Sequence, residues 1–303
     1  MRRPRSRRVS DAVRPFGERL GAAMSRRGPL CVGIDPHPSL LASWGLADDA
    51  DGLRRFSATV LEAVAGVAAA VKPQVALYER HGSAGMAALE ELLADAHDAG
   101  VLTIADAKRG DIGSTMAAYA DAWLRDGSPL AADAVTLSPY LGFESLRPAL
   151  DLAAQTGRGV FVLALTSNPE GASVQHVGQG EEGGAVARRI TEAAASENAR
   201  RAGSPRGTGG DGSPDDLGSV GLVVGATVGD AVARLGLDLA AMGGPVLAPG
   251  LGAQGATAAV LRETFGAAYA QVLGTSSRDI LSGGPGAGGV RARAERTLAE
   301  LSA

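Results

Sequence analysis

The sequence predicts an α/β protein, a single-domain (β/α)8 TIM barrel, on three observations. Eight short apolar runs recur along the chain. Amphipathic Ala- and Leu-rich stretches lie between nearly all of them. Charged or polar residues sit in phase at or just past the carboxyl ends of the runs. Alternating strand and helix patterns imply parallel strands joined by crossovers. Eight such repeats in about 250 residues suit a closed barrel, whose reactive groups gather at the carboxyl face of the strands.

The runs are Leu30–Ile34, Val67–Val71, Val101–Ala105, Ala134–Leu137, Val160–Leu165, Gly221–Val224, Val246–Ala248 and Gln271–Leu273. Helical patterns cover Met86–Ala99, Thr115–Arg125, Phe143–Gln155, Ala185–Ala202 and Gly255–Thr264. An open doubly wound sheet is the structural alternative. No G-x-G-x-x-G follows the first run, which counts against its dinucleotide-binding version. The barrel is expected over residues 29–303, after an Arg-rich tail and an N-terminal helix within residues 1–28. Gly203–Gly218, with six glycines and two prolines, reads as a flexible insertion between the fifth and sixth strands. Ser282–Gly289 reads as a Gly-rich hinge before a final helix.

Composition narrows the function. The chain has 303 residues, 45% hydrophobic and 20% charged, with a formal net charge of −4. That balance implies no general affinity for nucleic acid. A single cysteine, Cys31, precludes an intrachain disulfide and points to a cytoplasmic location. Its apolar surroundings make it a buried filler rather than a nucleophile. His37, His81, His97 and His176 show no metal-ligand spacing, so no protein-bound metal site is expected. No apolar stretch has the length needed to span a membrane. Arg2, Arg3, Arg5, Arg7 and Arg8 precede no apolar segment, so the start reads as a solvated tail, with an organelle transit peptide as the weaker alternative, rather than a secretory signal.

The third run leads into Asp106-Ala-Lys108-Arg109-Gly110-Asp111. In an extended strand residues i and i+2 share a side, so Asp106 and Lys108 should project together, with Asp111 on the loop beyond. A surface salt bridge would explain the triplet alone. Lys72, ending the second run, falls on the neighbouring strand and would complete a Lys–Asp–Lys–Asp array. Such charges are costly at a strand end and make sense where charge is managed during chemistry. Pro249-Gly250-Leu251-Gly252-Ala253-Gln254-Gly255 follows the seventh run and Gly274-Thr275-Ser276-Ser277-Arg278 the eighth. Glycines let backbone N–H groups approach an anion, and the guanidinium offers a planar fork. The loops after strands seven and eight are the usual phosphate site of this barrel class. Asp35 after the first run could accept from a sugar hydroxyl. Ser167 and Asn168, in Thr166-Ser-Asn-Pro169, suit the edge of a polar heterocycle, although an Asn-Pro turn would also place them there.

In this order, from about Leu30 to Leu281, these residues resemble the orotidine 5′-monophosphate decarboxylase family. The Asp106-x-Lys108-x-x-Asp111-Ile motif carries the resemblance most specifically. Lys72-Pro73, Thr166-Ser-Asn-Pro169, the Pro249–Gly255 run and Ser277-Arg278 reinforce it. Ser138-Pro-Tyr-Leu-Gly142 looks like the family's second bacterial subgroup (type 2). The resemblance implies conversion of orotidine 5′-phosphate to UMP and CO2, the last step of de novo UMP synthesis, without cofactor or metal. It makes Lys108 the proton donor to C6 and sets Asp106 against the substrate carboxylate. Lys72 and Asp35 then hold ribose hydroxyls, Ser167 and Asn168 meet the pyrimidine, and Gln254 and Arg278 bind phosphate. It also implies a homodimer in which Asp111 and Thr115 reach the partner's site. Two other readings compete. One is a phosphate-binding barrel that stabilises an enediolate with Mg²⁺, against which Lys72 and the Thr-Ser-Asn turn argue. The other is a catalytically silent nucleotide-binding or scaffold barrel, which the presence of Lys108 and Asp106 disfavours.

Overall fold

The structure, a computed structural model, describes residues 14–201, 216–252 and 255–302. Eight parallel strands close into a barrel in sequence order, β1 pairing with both β2 and β8. They are β1 Leu30–Ile34, β2 Ala70–Pro73, β3 Leu102–Arg109, β4 Ala134–Leu137, β5 Gly159–Leu165, β6 Val220–Val224, β7 Val246–Pro249 and β8 Val272–Ser276. Helices cover the outside, so both strand faces are buried and the strands read as apolar runs rather than alternating ones. Most of the predicted runs meet their strands within one or two residues. Three differ by more: β8 runs on to Ser276, three residues past the predicted end, and the other two differ for local reasons. Val67 and Ala68 donate their N–H groups to the Val64 carbonyl, finishing the preceding helix, so β2 begins at Ala70. β3 runs on to Arg109 through the charged motif.

The helices follow their apolar spacing and their caps. In Ala50–Val64 the buried Leu53, Phe56, Val60, Leu61 and Val64 form one face. The stretch expected as one helix from Phe143 opens instead as a 3-10 turn, Phe143–Leu146. Pro148, lacking an N–H, sits in the first turn of the α-helix Arg147–Thr156, which ends at Gly157 with φ 68°. The helix expected from Gly255 begins at Ala258, because the Thr257 side chain accepts from the Val260 N–H at 3.3 Å and caps it. Between β6 and β7 only two short helices form, Ala231–Arg234 and Leu239–Met242.

The N-terminal helix Phe16–Arg27 is built into the barrel. Phe16, Leu20 and Met24 join Cys31, Ile104, Phe161 and Leu273 in one buried cluster at the amino ends of the strands. Phe16 packs edge-on to Phe161 with ring centroids 5.9 Å apart. Gly159 must be glycine for this, since a Cβ there would lie 2.2 Å from the Phe16 ring. The Arg-rich start and nearly all of the Gly-rich insertion, residues 202–215, lie outside the described residues. The Ser282–Gly289 stretch is a packed turn rather than a hinge. A Cβ on Gly284 would fall 1.9 Å from the Trp44 indole, and Trp44 donates through Nε1 to the Leu281 carbonyl at 3.2 Å.

Among the described residues no helix is long and apolar enough to cross a membrane.

Candidate active site

A cavity of about 260 Å³ opens at the carboxyl ends of the strands. Asp35, Lys72, Asp106, Lys108 and Arg278 line it, so five of the sequence-predicted site residues meet there. Asp106 is the hub. Its Oδ2 accepts from Lys72 Nζ at 2.6 Å and from Gln74 Nε2 at 3.0 Å. Its Oδ1 accepts from Lys108 Nζ at 2.5 Å and from Thr136 Oγ1 at 3.1 Å. Lys72 and Asp106 are buried, whereas the Lys108 side chain is 46% exposed and faces the open cavity.

β3 does not reach this arrangement as a regular strand. Ala105 pairs with Val135 and Arg109 with Leu137, so the strand bulges between them. Lys108 has φ 48°, the one positive φ of a non-glycine among the described residues. Strain of about 1–3 kcal/mol at such a residue persists only where its surroundings hold it, and it concentrates at functional sites. Lys108 and Asp106 meet as the strand alternation predicted, but through a bulge rather than through simple alternation.

The electrostatics run one way. Burial pushes the Asp106 carboxyl up, but the Lys72 and Lys108 ammonium groups outweigh it and hold it well below the ordinary carboxylate range. Burial pushes Lys72 down, but Asp106 and Asp35 outweigh it and hold the ammonium above its ordinary range. Both groups stay charged at neutral pH. Asp106 therefore binds a proton less readily folded than unfolded, where the ordinary value is about 3.9. Its stabilising contribution is complete above about pH 4 and is lost as pH falls through the folded value. Urea midpoints should fall more steeply below about pH 4 in the wild type than in Asp106→Asn. Equal slopes would contradict this assignment.

Asp35 contributes a buried Oδ1 with no hydrogen-bond partner among the described residues, and Thr275 Oγ1 on β8 is likewise buried and unpartnered. Both border the cavity, where a ligand's hydroxyl groups could satisfy them. The Arg278 guanidinium is exposed at the rim, and no described residue pairs with it. Gly33 must lack a Cβ, which would stand 1.8 Å from Ser277 Oγ in the loop that carries Arg278. Cys31 lies beneath, fully buried, and burial pushes its thiol up to about 12. It is a neutral filler at physiological pH.

The remaining predicted residues stand elsewhere. Ser167 and Asn168 are exposed past the end of β5 and do not line the cavity. Asn168 Oδ1 accepts from Thr166 Oγ1 at 2.7 Å and its Nδ2 donates to Glu170 at 2.9 Å, tying the side chain into its own turn. Asp111 accepts from the Ile112 N–H at 2.7 Å, and Thr115 is exposed on the helix Gly113–Leu124. Neither borders this chain's cavity. Gln254 lies outside the described residues. Sequence reasoning missed Gln74 and Thr136. Gln74, two residues beyond Lys72, shares its side by strand alternation. Thr136 is the lone hydroxyl in the apolar run of β4, a signal too weak to single out.

A family-level sequence profile for orotidine 5′-phosphate decarboxylases and the HUMPS family matches residues 28–281, which include the whole cavity. The chain belongs to this family. An orotidine 5′-phosphate decarboxylase of Salinispora arenicola is 54% identical over 288 residues, 95% of this chain and 97% of that one. The decarboxylase of Streptomyces coelicolor is 52% identical over 290 residues, covering 95% and 98%. Among solved structures, a Streptomyces avermitilis chain superposes with a TM-score of 0.85 at 53% identity over 95% of both chains. The Leishmania donovani OMP decarboxylase does so with a TM-score of 0.73 at 30% identity, over 95% of this chain and 97% of that one. Family membership thus accompanies a shared overall fold.

Proposed function

We propose that this cavity converts orotidine 5′-phosphate to UMP and CO2, the closing step of UMP synthesis. The observation that carries the reading is the Lys72–Asp106–Lys108 array, joined by hydrogen bonds of 2.5–2.6 Å, in one cavity with Arg278, which opens the short helix after β8 and has no partner among the described residues. The bond from C6 of the pyrimidine to its carboxylate carbon breaks, and CO2 departs. The electron pair stays on C6 in the ring plane, where no π system delocalises it. The Lys108 ammonium, held beside that carbon, stabilises the developing charge and then gives C6 its proton. The neutral amine recovers a proton from water.

Asp106 faces the position of the departing carboxylate, and Lys72 keeps Asp106 ionised and aimed. Asp35 and Lys72 take ribose hydroxyls, while Arg278, with Gln254, takes the phosphate. Ser167 and Asn168 approach the pyrimidine when their turn closes over it. Phosphate and ribose contacts remote from C6 position the ring for reaction. The direct test follows ultraviolet absorbance of orotidine 5′-phosphate with purified protein in excess EDTA. Conversion to UMP supports the reading and a reaction without metal. Absence of conversion overturns it.

Arg278→Ala should lower kcat/KM by about 10–150-fold, because charge-assisted hydrogen bonds contribute about 1.5–3 kcal/mol. The loss should appear mainly in KM. An unchanged KM and kcat/KM would remove Arg278 from the phosphate site.

The Ser138–Gly142 segment supports placing the chain in the second bacterial subgroup of the family. A homodimer is supported by exposed apolar side chains beside Asp111: Ile112 is 62% exposed and Tyr140, on the adjacent β4 loop, 79%. In that dimer Asp111 and Thr115 complete the partner's site. Lys108→Ala and Asp111→Ala chains should each be inactive alone. Mixed in equal amounts and allowed to exchange, they should regain about a quarter of wild-type activity, because half the dimers then hold one intact site. No recovery, with exchange verified, would assign Asp111 to its own chain.

A further inference from the structure

We propose that Thr136 is a positioning residue for the decarboxylation, its one hydroxyl fixing both the Asp106 carboxylate and the strained main chain of Lys108. This rests on the proposed reaction. The register of β3 against β4 leaves residues 106–108 opposite Thr136 alone. A bulge of this kind strips ladder partners from the strand, and a buried N–H without an acceptor is costly. Here the Thr136 side chain replaces the missing ladder bond. The Lys108 N–H donates to Thr136 Oγ1 at 2.9 Å, and the hydroxyl donates its own proton to Asp106 Oδ1 at 3.1 Å. Donor and acceptor capacity of the hydroxyl are both used, in the only sense of transfer that leaves each group satisfied. Thr136 is 1% exposed, so water does not substitute for it.

The two contacts act on different parts of the array. The bond from Lys108 N–H holds the residue at φ 48°, the conformation from which its side chain turns back to Asp106. The bond to Oδ1 places a fixed donor on the same oxygen that receives the Lys108 ammonium, while Lys72 and Gln74 hold Oδ2. Rotation of the carboxylate would therefore break contacts on both oxygens at once. Thr136 reaches the ammonium only through these two groups, and its role is geometric.

The experiment compares Thr136→Val, which keeps the branched shape and removes the hydroxyl, with Thr136→Ser, which restores it. Site concentration is set by calorimetric titration with UMP, and kcat and KM are measured per competent site. Thr136→Val should lose about 100-fold in kcat, the scale of a small misplacement of reacting groups. KM and the UMP Kd should change less than about threefold, and Thr136→Ser should recover most of kcat. A kcat per site within about threefold of wild type in Thr136→Val would overturn the proposal. So would equal defects in both variants, or loss of UMP affinity in step with kcat. If Thr136→Val fails to fold, Thr136→Ala is compared with Thr136→Ser on the same criteria. Wild-type protein that leaves orotidine 5′-phosphate untouched would instead sink the reaction itself.

Discussion

Lys108→Ala should abolish measurable turnover, with a fall in kcat of at least about 10⁴-fold, while leaving the fold intact. General acid catalysis contributes about 10²–10⁴-fold and one preorganised electrostatic donor about 10²–10³-fold; in the proposed reaction a single ammonium supplies both effects. The fold should survive because the side chain is 46% exposed and contributes little to the core. Its partner Asp106 keeps three other donors, from Lys72, Gln74 and Thr136. UMP should still bind, since the proposed phosphate and ribose contacts lie elsewhere. The check is single-turnover kinetics with a thermal melt and a UMP titration on the same sample. Residual turnover within about tenfold of wild type would remove Lys108 from the reaction.

Lys72→Met should damage stability and activity together. Lys72 is 5% exposed and bonded at 2.6 Å to a carboxylate that is itself buried. Removing one member of such a pair leaves the other charge uncompensated, at a cost on the order of 3–5 kcal/mol when nothing else pairs it. Lys108, Gln74 and Thr136 remain on Asp106, so a cost of about 2–4 kcal/mol is expected in urea unfolding. A second substitution, Asp106→Leu, in the same chain should recover much of that stability without activity, because an apolar pair of similar volume avoids the stranded charge. If the double variant is no more stable than Lys72→Met, the coupling between Lys72 and Asp106 has been misjudged.

The barrel was legible because its strands are buried on both faces and therefore announce themselves as continuous apolar runs. β1 and β4 coincide with Leu30–Ile34 and Ala134–Leu137. Helix starts were less legible, since they depend on single capping groups such as Thr257 and on the missing N–H of Pro148. Asp106, Lys108 and Lys72 were readable as charges at strand ends. The bulge that unites them was not. It is a property of register between two strands, and no local pattern in β3 encodes how far Arg109 slides along β4. Gln74 and Thr136 were hidden for the same reason, being polar residues whose importance lies in what faces them across the sheet. Asn168 illustrates the opposite case. Its motif was visible, yet Thr166 and Glu170 hold its side chain within the turn.

The helix Phe16–Arg27 makes the molecule a cup rather than a pipe. Phe16, Leu20 and Met24 stopper the far end of the strands, all of them 5% exposed or less. Among the described residues, these side chains fill the barrel's axis at that end. Nucleotide arrival, nucleotide departure and escape of the gas all share one mouth beside Arg278. UMP lingering there blocks the next substrate outright, so product inhibition strictly competitive with orotidine 5′-phosphate follows from the shape of the vessel.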